Sequence, residues 1–180
     1  AAKAGVRPSL ENPSLYQRVN VEGTQNVLNF ATECSVNKII FASSSSVYGI
    51  NDKLPWKESD LNLMPISPYA SSKISGEFLG KTFANIYNKT FISLRFFTVY
   101  GPMGRPDMAL FLFAEAIRKN EPINVFGHGK MVRDFTYVAD IVTSISKLLV
   151  KPPKRDSMIT GDKLTGNTSS APYSIYNIGN

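Results

Sequence analysis

Apolar residues recur along this chain in two rhythms. Behind an Asn cap and a first-turn Pro at Asn12-Pro13, the residues Leu15, Tyr16, Val19, Val27, Leu28, Phe30 and Ala31 fall at helical spacing, which predicts a helix of about 20 residues. Lys38-Ile39-Ile40-Phe41-Ala42 is instead a short run with β-branched residues, hence a buried strand. The polar, Pro-containing stretch 51–67 reads as a surface loop. A second helix is predicted from near Pro68, with Ile74, Phe78, Leu79, Phe83 and Ile86 on its buried side. A strand over 91–96 and a third helix over 109–119 follow. Residues 123–125 and 134–137 look like short strands around a glycine turn at Gly127 and Gly129, with a helix over 139–150 behind them. The stretch 151–171 has no periodicity and reads as a loop, and 173–178 suits one more strand.

Strand and helix alternate through residue 96, which predicts an α/β fold built on a parallel sheet with flanking helices. The pattern then loosens, as expected where a chain leaves its sheet to build a smaller lobe.

Composition acts mainly by exclusion. With 43% hydrophobic and 19% charged residues the chain can bury a core and is not of the disordered class. The net charge is +6, but the 20 Lys and Arg are scattered, and only Lys151-Pro152-Pro153-Lys154-Arg155 approaches a cluster. No nucleic-acid partner is expected from that distribution. The single Cys34 and single His128 leave no disulfide framework and no expected metal site. No apolar run approaches the roughly 18 residues of a membrane span. The first residues lack the layout of a signal peptide, so no membrane partner and a cytoplasmic location are expected.

Three features carry candidate chemistry. Ser43-Ser44-Ser45-Ser46-Val47-Tyr48-Gly49 follows a buried strand, where ligands of parallel sheets bind, and alternation would put Ser44 and Ser46 on one side. Tyr69-Ala70-Ser71-Ser72-Lys73 opens a helix and stacks a phenol and an ammonium at i, i+4. An ammonium beside a phenol favours the phenolate and so suits proton transfer, although Tyr-x-x-x-Lys also arises by chance. Arg105 and Arg133 lie in loops rich in glycine, where a guanidinium can grip a phosphate or carboxylate, or simply pair with Asp107 or Asp134.

Taken in order, the Ser cluster after a strand, the Tyr-x-x-x-Lys helix, the segment Leu94-Arg95-Phe96-Phe97-Thr98-Val99-Tyr100-Gly101-Pro102 and Arg133-Asp134-Phe135 closely resemble the extended short-chain dehydrogenases/reductases. Within them the resemblance is to the NAD-dependent sugar-nucleotide epimerases, nearest the UDP-glucuronate 4-epimerase branch. It runs from residue 1 to about 150 and resumes at 176–180. It implies a partial Rossmann-like parallel sheet, residues 1–100 being the later part of the NAD-binding domain. Residues 101–180 would be a mixed region contributing the sugar-nucleotide lobe and returning sheet elements. NAD is the implied cofactor and a UDP-sugar the implied substrate. Tyr69 would exchange a proton with the sugar 4-hydroxyl, with Lys73 holding the nicotinamide ribose and depressing the phenol's pKa. Ser44, the third implied catalytic residue, would hydrogen-bond O4, with Ser46 as the alternative. Ala1, Ala2, Asn20, Ser43 and Phe96 would lie along the cofactor. Ser45, Ser46, Thr98, Arg105 and Arg133 would hold substrate, Thr98 and Arg105 at the sugar carboxylate and Arg133 at the diphosphate.

Dehydratases of this family carry an Asp-Glu pair where this chain has Ser45 and Ser46, and the decarboxylases' nearby Glu is missing as well, so epimerisation is favoured. A decarboxylase, a dehydratase or a non-catalytic binding protein remain the alternatives. The family's phosphate-binding Gly-x-x-Gly-x-x-Gly loop, expected within about 80 further residues upstream, is not in this sequence. The chain therefore reads as an inactive fragment of such an enzyme. A homodimer through helices near 14–34 and 68–87 is expected by analogy.

Overall fold

The computed structural model describes residues 2–160, 165 and 167–179. Its strands are β1 (Lys38–Ser44), β2 (Thr90–Phe96), β3 (Thr98–Tyr100), β4 (Phe135–Tyr137) and β5 (Tyr173–Ile178). β1, β2 and β5 form one parallel sheet in that order, with Phe41 opposite Ser93 and Ser93 opposite Ile175. The strand at the end of the chain therefore returns to lie beside β2. All three strands finish on one edge, at Ser44, Phe96 and Ile178, and that edge is where parallel sheets bind ligands. This is the α/β architecture that the alternation of elements predicts.

The helices are α1 (Val6–Glu11), α2 (Pro13–Tyr16), α3 (Gly23–Glu33), α4 (Pro68–Tyr87), α5 (Ala109–Lys119) and α6 (Val138–Val150). The helix expected from Asn12-Pro13 forms, and the Asn12 side chain accepts from Leu15 N at 3.2 Å. A π-helical stretch, Gln17–Glu22, separates α2 from α3. Apolar spacing cannot announce it, because what it carries inward is the polar Asn20.

α4 starts where its sequence says it should. Ser67 Oγ accepts from Ala70 N at 3.1 Å and Pro68 fills the first turn, while Asn88 closes the helix at φ 51°. Its buried side is the predicted one only in part, since Phe83 is buried and Leu79 packs against the core. Phe78 and Ile86 are 63% and 67% exposed, while Ser72, Lys73, Gly76, Glu77, Gly80, Phe83 and Ala84 are buried. The reason is the close approach of helix to sheet. A Cβ at Gly76 would lie 2.3 Å from the Phe41 ring, and one at Gly80 would lie 2.1 Å from the Phe91 ring. The sheet supplies the aromatic bulk, so the helix must be small there. Leu28, Phe83, Phe91, Tyr173 and Ile175 close the core on this face. Each fully buried large apolar side chain contributes about 1.5–3 kcal/mol.

Past β2 the expectations hold only in part. Residues 123–125 form no strand, and the glycine turn is a short 3-10 segment, Phe126–Gly129, with Gly127 and His128 in the left-handed region. β4 pairs in parallel with β3, because Thr98–Tyr100 continues directly from the end of β2 and offers its edge. α1 and β3 are elements that the apolar pattern did not reveal. Residues 151–160 form no helix or strand, as expected of the loop. Among the described residues, no helix is long and apolar enough to cross a membrane.

Candidate active site

The four serines after β1 have separate roles. Ser43 Oγ donates to Glu77 Oε1 on α4 at 2.6 Å. After Ser44 the chain is no longer extended, since Ser45–Tyr48 wind into a 3-10 turn. Ser44 caps that turn, its hydroxyl accepting from Ser46 N at 3.2 Å and donating to Ser46 Oγ at 3.1 Å. Ser44 and Ser46 do meet, through the turn and not through strand alternation.

α4 presents Tyr69 and Lys73 one helical turn apart. Lys73 Nζ donates to the Ala42 carbonyl at 2.7 Å and sits 5.7 Å from the centre of the Tyr69 ring. That bond ties the pair to β1 two residues before Ser44. Burial lowers the Lys73 pKa. The half-buried Tyr69 ring packs edge-on against Tyr16 at 6.3 Å, and the Tyr16 hydroxyl donates to Ala4 O at 2.7 Å. Asn20 is buried, accepting from Lys3 N at 2.8 Å and donating to Lys3 O at 3.0 Å and Ser72 Oγ at 2.9 Å. It fastens the first residues to α4, and both its amide hydrogens are engaged within the protein. Ala2 is exposed, and Ala1 lies outside the described residues.

Beyond the serine turn opens a cleft of about 1030 Å³. Ser45, Ser46, Thr98 and Arg133 line it together, as do Arg7, Trp56 and Asn177. Ser44, Tyr69, Lys73, Phe96 and Arg105 are not among its lining residues. Arg133 donates to the Val132 carbonyl at 2.8 Å, and the Arg7 guanidinium lies 4.3 Å from the centre of the Phe126 ring. Arg105 grips Asp107 with Nε and Nη2, both side chains about half exposed. The pairing holds the Asp107 carboxyl below its usual range and raises Arg105.

Sequence reasoning missed a buried polar network behind this cleft. Arg95 donates from Nε and Nη2 to the two Glu77 oxygens at 2.9 and 2.7 Å, and from Nη1 to the Tyr48 hydroxyl at 2.9 Å. Burial alone would lower the Arg95 pKa, but the hydrogen bonds and charge of Glu77 outweigh it and hold the guanidinium above its ordinary value. Tyr48 is pushed up by burial, with Arg95 opposing. The one available signal was a charge set within each of two apolar segments, Arg95 in β2 and Glu77 four residues after Lys73 in α4.

Residues 1–179 match the profile of the NAD dependent epimerase/dehydratase family. The chain is 48% identical over 180 residues to Protein CapI of Staphylococcus aureus, covering 100% of this chain and 54% of that protein. It is 44% identical over 180 residues to a probable UDP-glucuronate 4-epimerase of Rhizobium meliloti (strain 1021), covering 99% and 53%. The structure superposes with a TM-score of 0.80 on the UDP-glucuronic acid 4-epimerase of Bacillus cereus in complex with UDP-glucuronic acid and NAD. The two share 33% identity over 99% of this chain and 52% of that one. The chain thus spans about half the length of the curated relatives it matches.

Proposed function

The chain belongs to the NAD dependent epimerase/dehydratase family, and from that membership we propose that it carries the proton-transfer residues of a UDP-sugar 4-epimerase. The substrate we infer is UDP-glucuronate, converted to UDP-galacturonate. The observation that carries this reading is Lys73, fixed between the Tyr69 ring and the Ala42 carbonyl at the foot of the serine turn.

NAD, when bound, supplies the acceptor for the hydrogen at sugar C4 and gives it back. The residues present suit such a group, since an ammonium has three donors and Ala42 takes one, leaving Lys73 donors for ribose hydroxyls. Tyr69, whose hydroxyl makes no hydrogen bond to a described residue, would take the proton from the 4-hydroxyl as the ketone forms and return it afterwards. The Ser44–Ser46 pair would orient O4. Ser45 and Ser46 line the cleft as neutral hydroxyls, which supports epimerisation over elimination of water. Arg133, which lines the cleft on the same side as Thr98, would hold the diphosphate, and Thr98 would meet the sugar carboxylate.

Residues 1–100 then belong to the cofactor domain and 101–180 to the mixed region. A cytoplasmic homodimer is part of the same proposal. Val27 and Phe30 on α3 and Phe78 and Ile86 on α4 are all exposed, in the two helices proposed to pair.

Arg105 tests the identity of the sugar. Its partner Asp107 is half exposed, and such surface pairs contribute only about 0–1 kcal/mol, so a substrate carboxylate can replace it at little cost. A hydrogen bond to a charged group contributes about 1.5–3 kcal/mol. Arg105→Ala in the complete protein should lower kcat/KM for UDP-glucuronate by about 10- to 100-fold on that figure, and for UDP-glucose much less. Equal losses on both substrates would remove Arg105 from carboxylate recognition and leave it as a brace for its loop.

A further inference from the structure

Trp56 is the only tryptophan of the sequence and forms part of the cleft wall. It lies in a loop without regular structure, where its indole Nε1 donates to the Asn51 carbonyl at 2.8 Å. Its ring is also stacked on Tyr48, with centres 4.9 Å apart and planes at 18°, and it borders Phe97 at 6.0 Å. Tyr48 is wholly buried and does not line the cleft. Its hydroxyl accepts from Arg95 Nη1 at 2.9 Å and donates to Asn177 Oδ1 at 2.7 Å. Asn177 in turn donates from Nδ2 to the Trp56 carbonyl at 3.0 Å. The loop is held a second time at the same strand, because Asn177 N donates to Glu58 Oε1 at 2.8 Å.

These bonds form one path from the Glu77–Arg95 pair between α4 and β2, through Tyr48, to β5 and the loop at the mouth of the cleft. A buried hydroxyl that is acceptor to a cation and donor to an amide has both its roles filled, so it fixes the rotamers on either side. We propose that Tyr48 is a positioning residue: through Asn177 it holds Trp56 as a rigid wall of the cleft, and that wall helps to bind the nucleotide sugar. The inference rests on the functional reading above for the nature of the ligand, and on the structure alone for the anchoring of Trp56. Tyr48 touches no reacting atom in this account, so its loss should weaken binding and leave the chemical step as it was.

Tyr48→Phe keeps the stacked ring and removes only the hydroxyl. Because Trp56 is the sole tryptophan of this 180-residue sequence, the fluorescence of this chain reports the wall directly. In the variant, acrylamide should quench Trp56 more steeply and its emission should move to the red. In the complete protein, KM for UDP-glucuronate should rise by about three- to tenfold, as expected for one lost hydrogen bond, with kcat within about twofold of wild type. Unchanged quenching would overturn the anchoring. A loosened Trp56 with unchanged KM would overturn its part in binding, and a fall in kcat at constant KM would do the same. Should Tyr48→Phe fail to fold, Asn177→Ser cuts the path further out and leaves the Glu77–Arg95 pair intact. Steeper quenching there supports the anchoring, and unchanged quenching refutes it. A wild-type protein that binds no UDP-sugar would sink the functional reading, while the quenching comparison still decides the anchoring.

Discussion

Tyr69→Phe in the complete protein is expected to lower kcat by about 10²–10⁴-fold, the usual contribution of a positioned acid–base group, with little change in affinity for the UDP-sugar. The phenyl ring keeps the edge-on contact with Tyr16 and the contact beneath the Lys73 ammonium, so the helix and its neighbours have no reason to move. Only the oxygen proposed to exchange the proton is gone. Steady-state kinetics beside a binding titration checks this. A variant with near-normal kcat would remove Tyr69 from the chemistry, whereas lost affinity would assign it to binding.

The largest effect on stability is expected at Glu77. Glu77 and Arg95 are 3% and 1% exposed, and Ser43 donates to the Glu77 carboxylate. Removing one partner of a buried pair leaves an uncompensated charge, at a cost of about 3–5 kcal/mol. For a chain of this size Glu77→Ala should then lower the thermal midpoint by roughly 6–20 °C. Glu115→Ala, which breaks an exposed ion pair with Arg118 on α5, should leave the midpoint almost unchanged. The double change Glu77→Leu with Arg95→Met removes both charges and should recover part of the loss. Thermal unfolding followed by circular dichroism separates the cases. A Glu77→Ala midpoint no lower than that of Glu115→Ala would show that the pair is not isolated from water.

What could be read in advance followed local rules. Pro68 announced the start of α4, the β-branched run announced β1, and the i, i+4 spacing put Tyr69 and Lys73 on one face of the helix. What could not be read depended on docking. That Gly76 and Gly80 rather than Phe78 face the sheet follows from rings brought by Phe41 and Phe91, which belong to other segments. Arg95 and Glu77 become a buried pair only once β2 and α4 touch. Trp56 sits in a loop with no periodicity to read, and its place is set both by the nearby Asn51 carbonyl and from β5, more than a hundred residues on. The pairing of Arg105 with Asp107 had been one of two readings open in the sequence, and the structure contains it.

The most direct test of the account follows the hydrogen at C4. UDP-glucuronate deuterated at C4 is incubated with the complete protein and NAD, and the product is read by NMR. The account predicts UDP-galacturonate with the deuterium retained at C4, because the hydrogen removed from one face is returned to the other. A UDP-pentose formed with loss of carbon dioxide, or UDP-galacturonate carrying solvent hydrogen at C4, would contradict it.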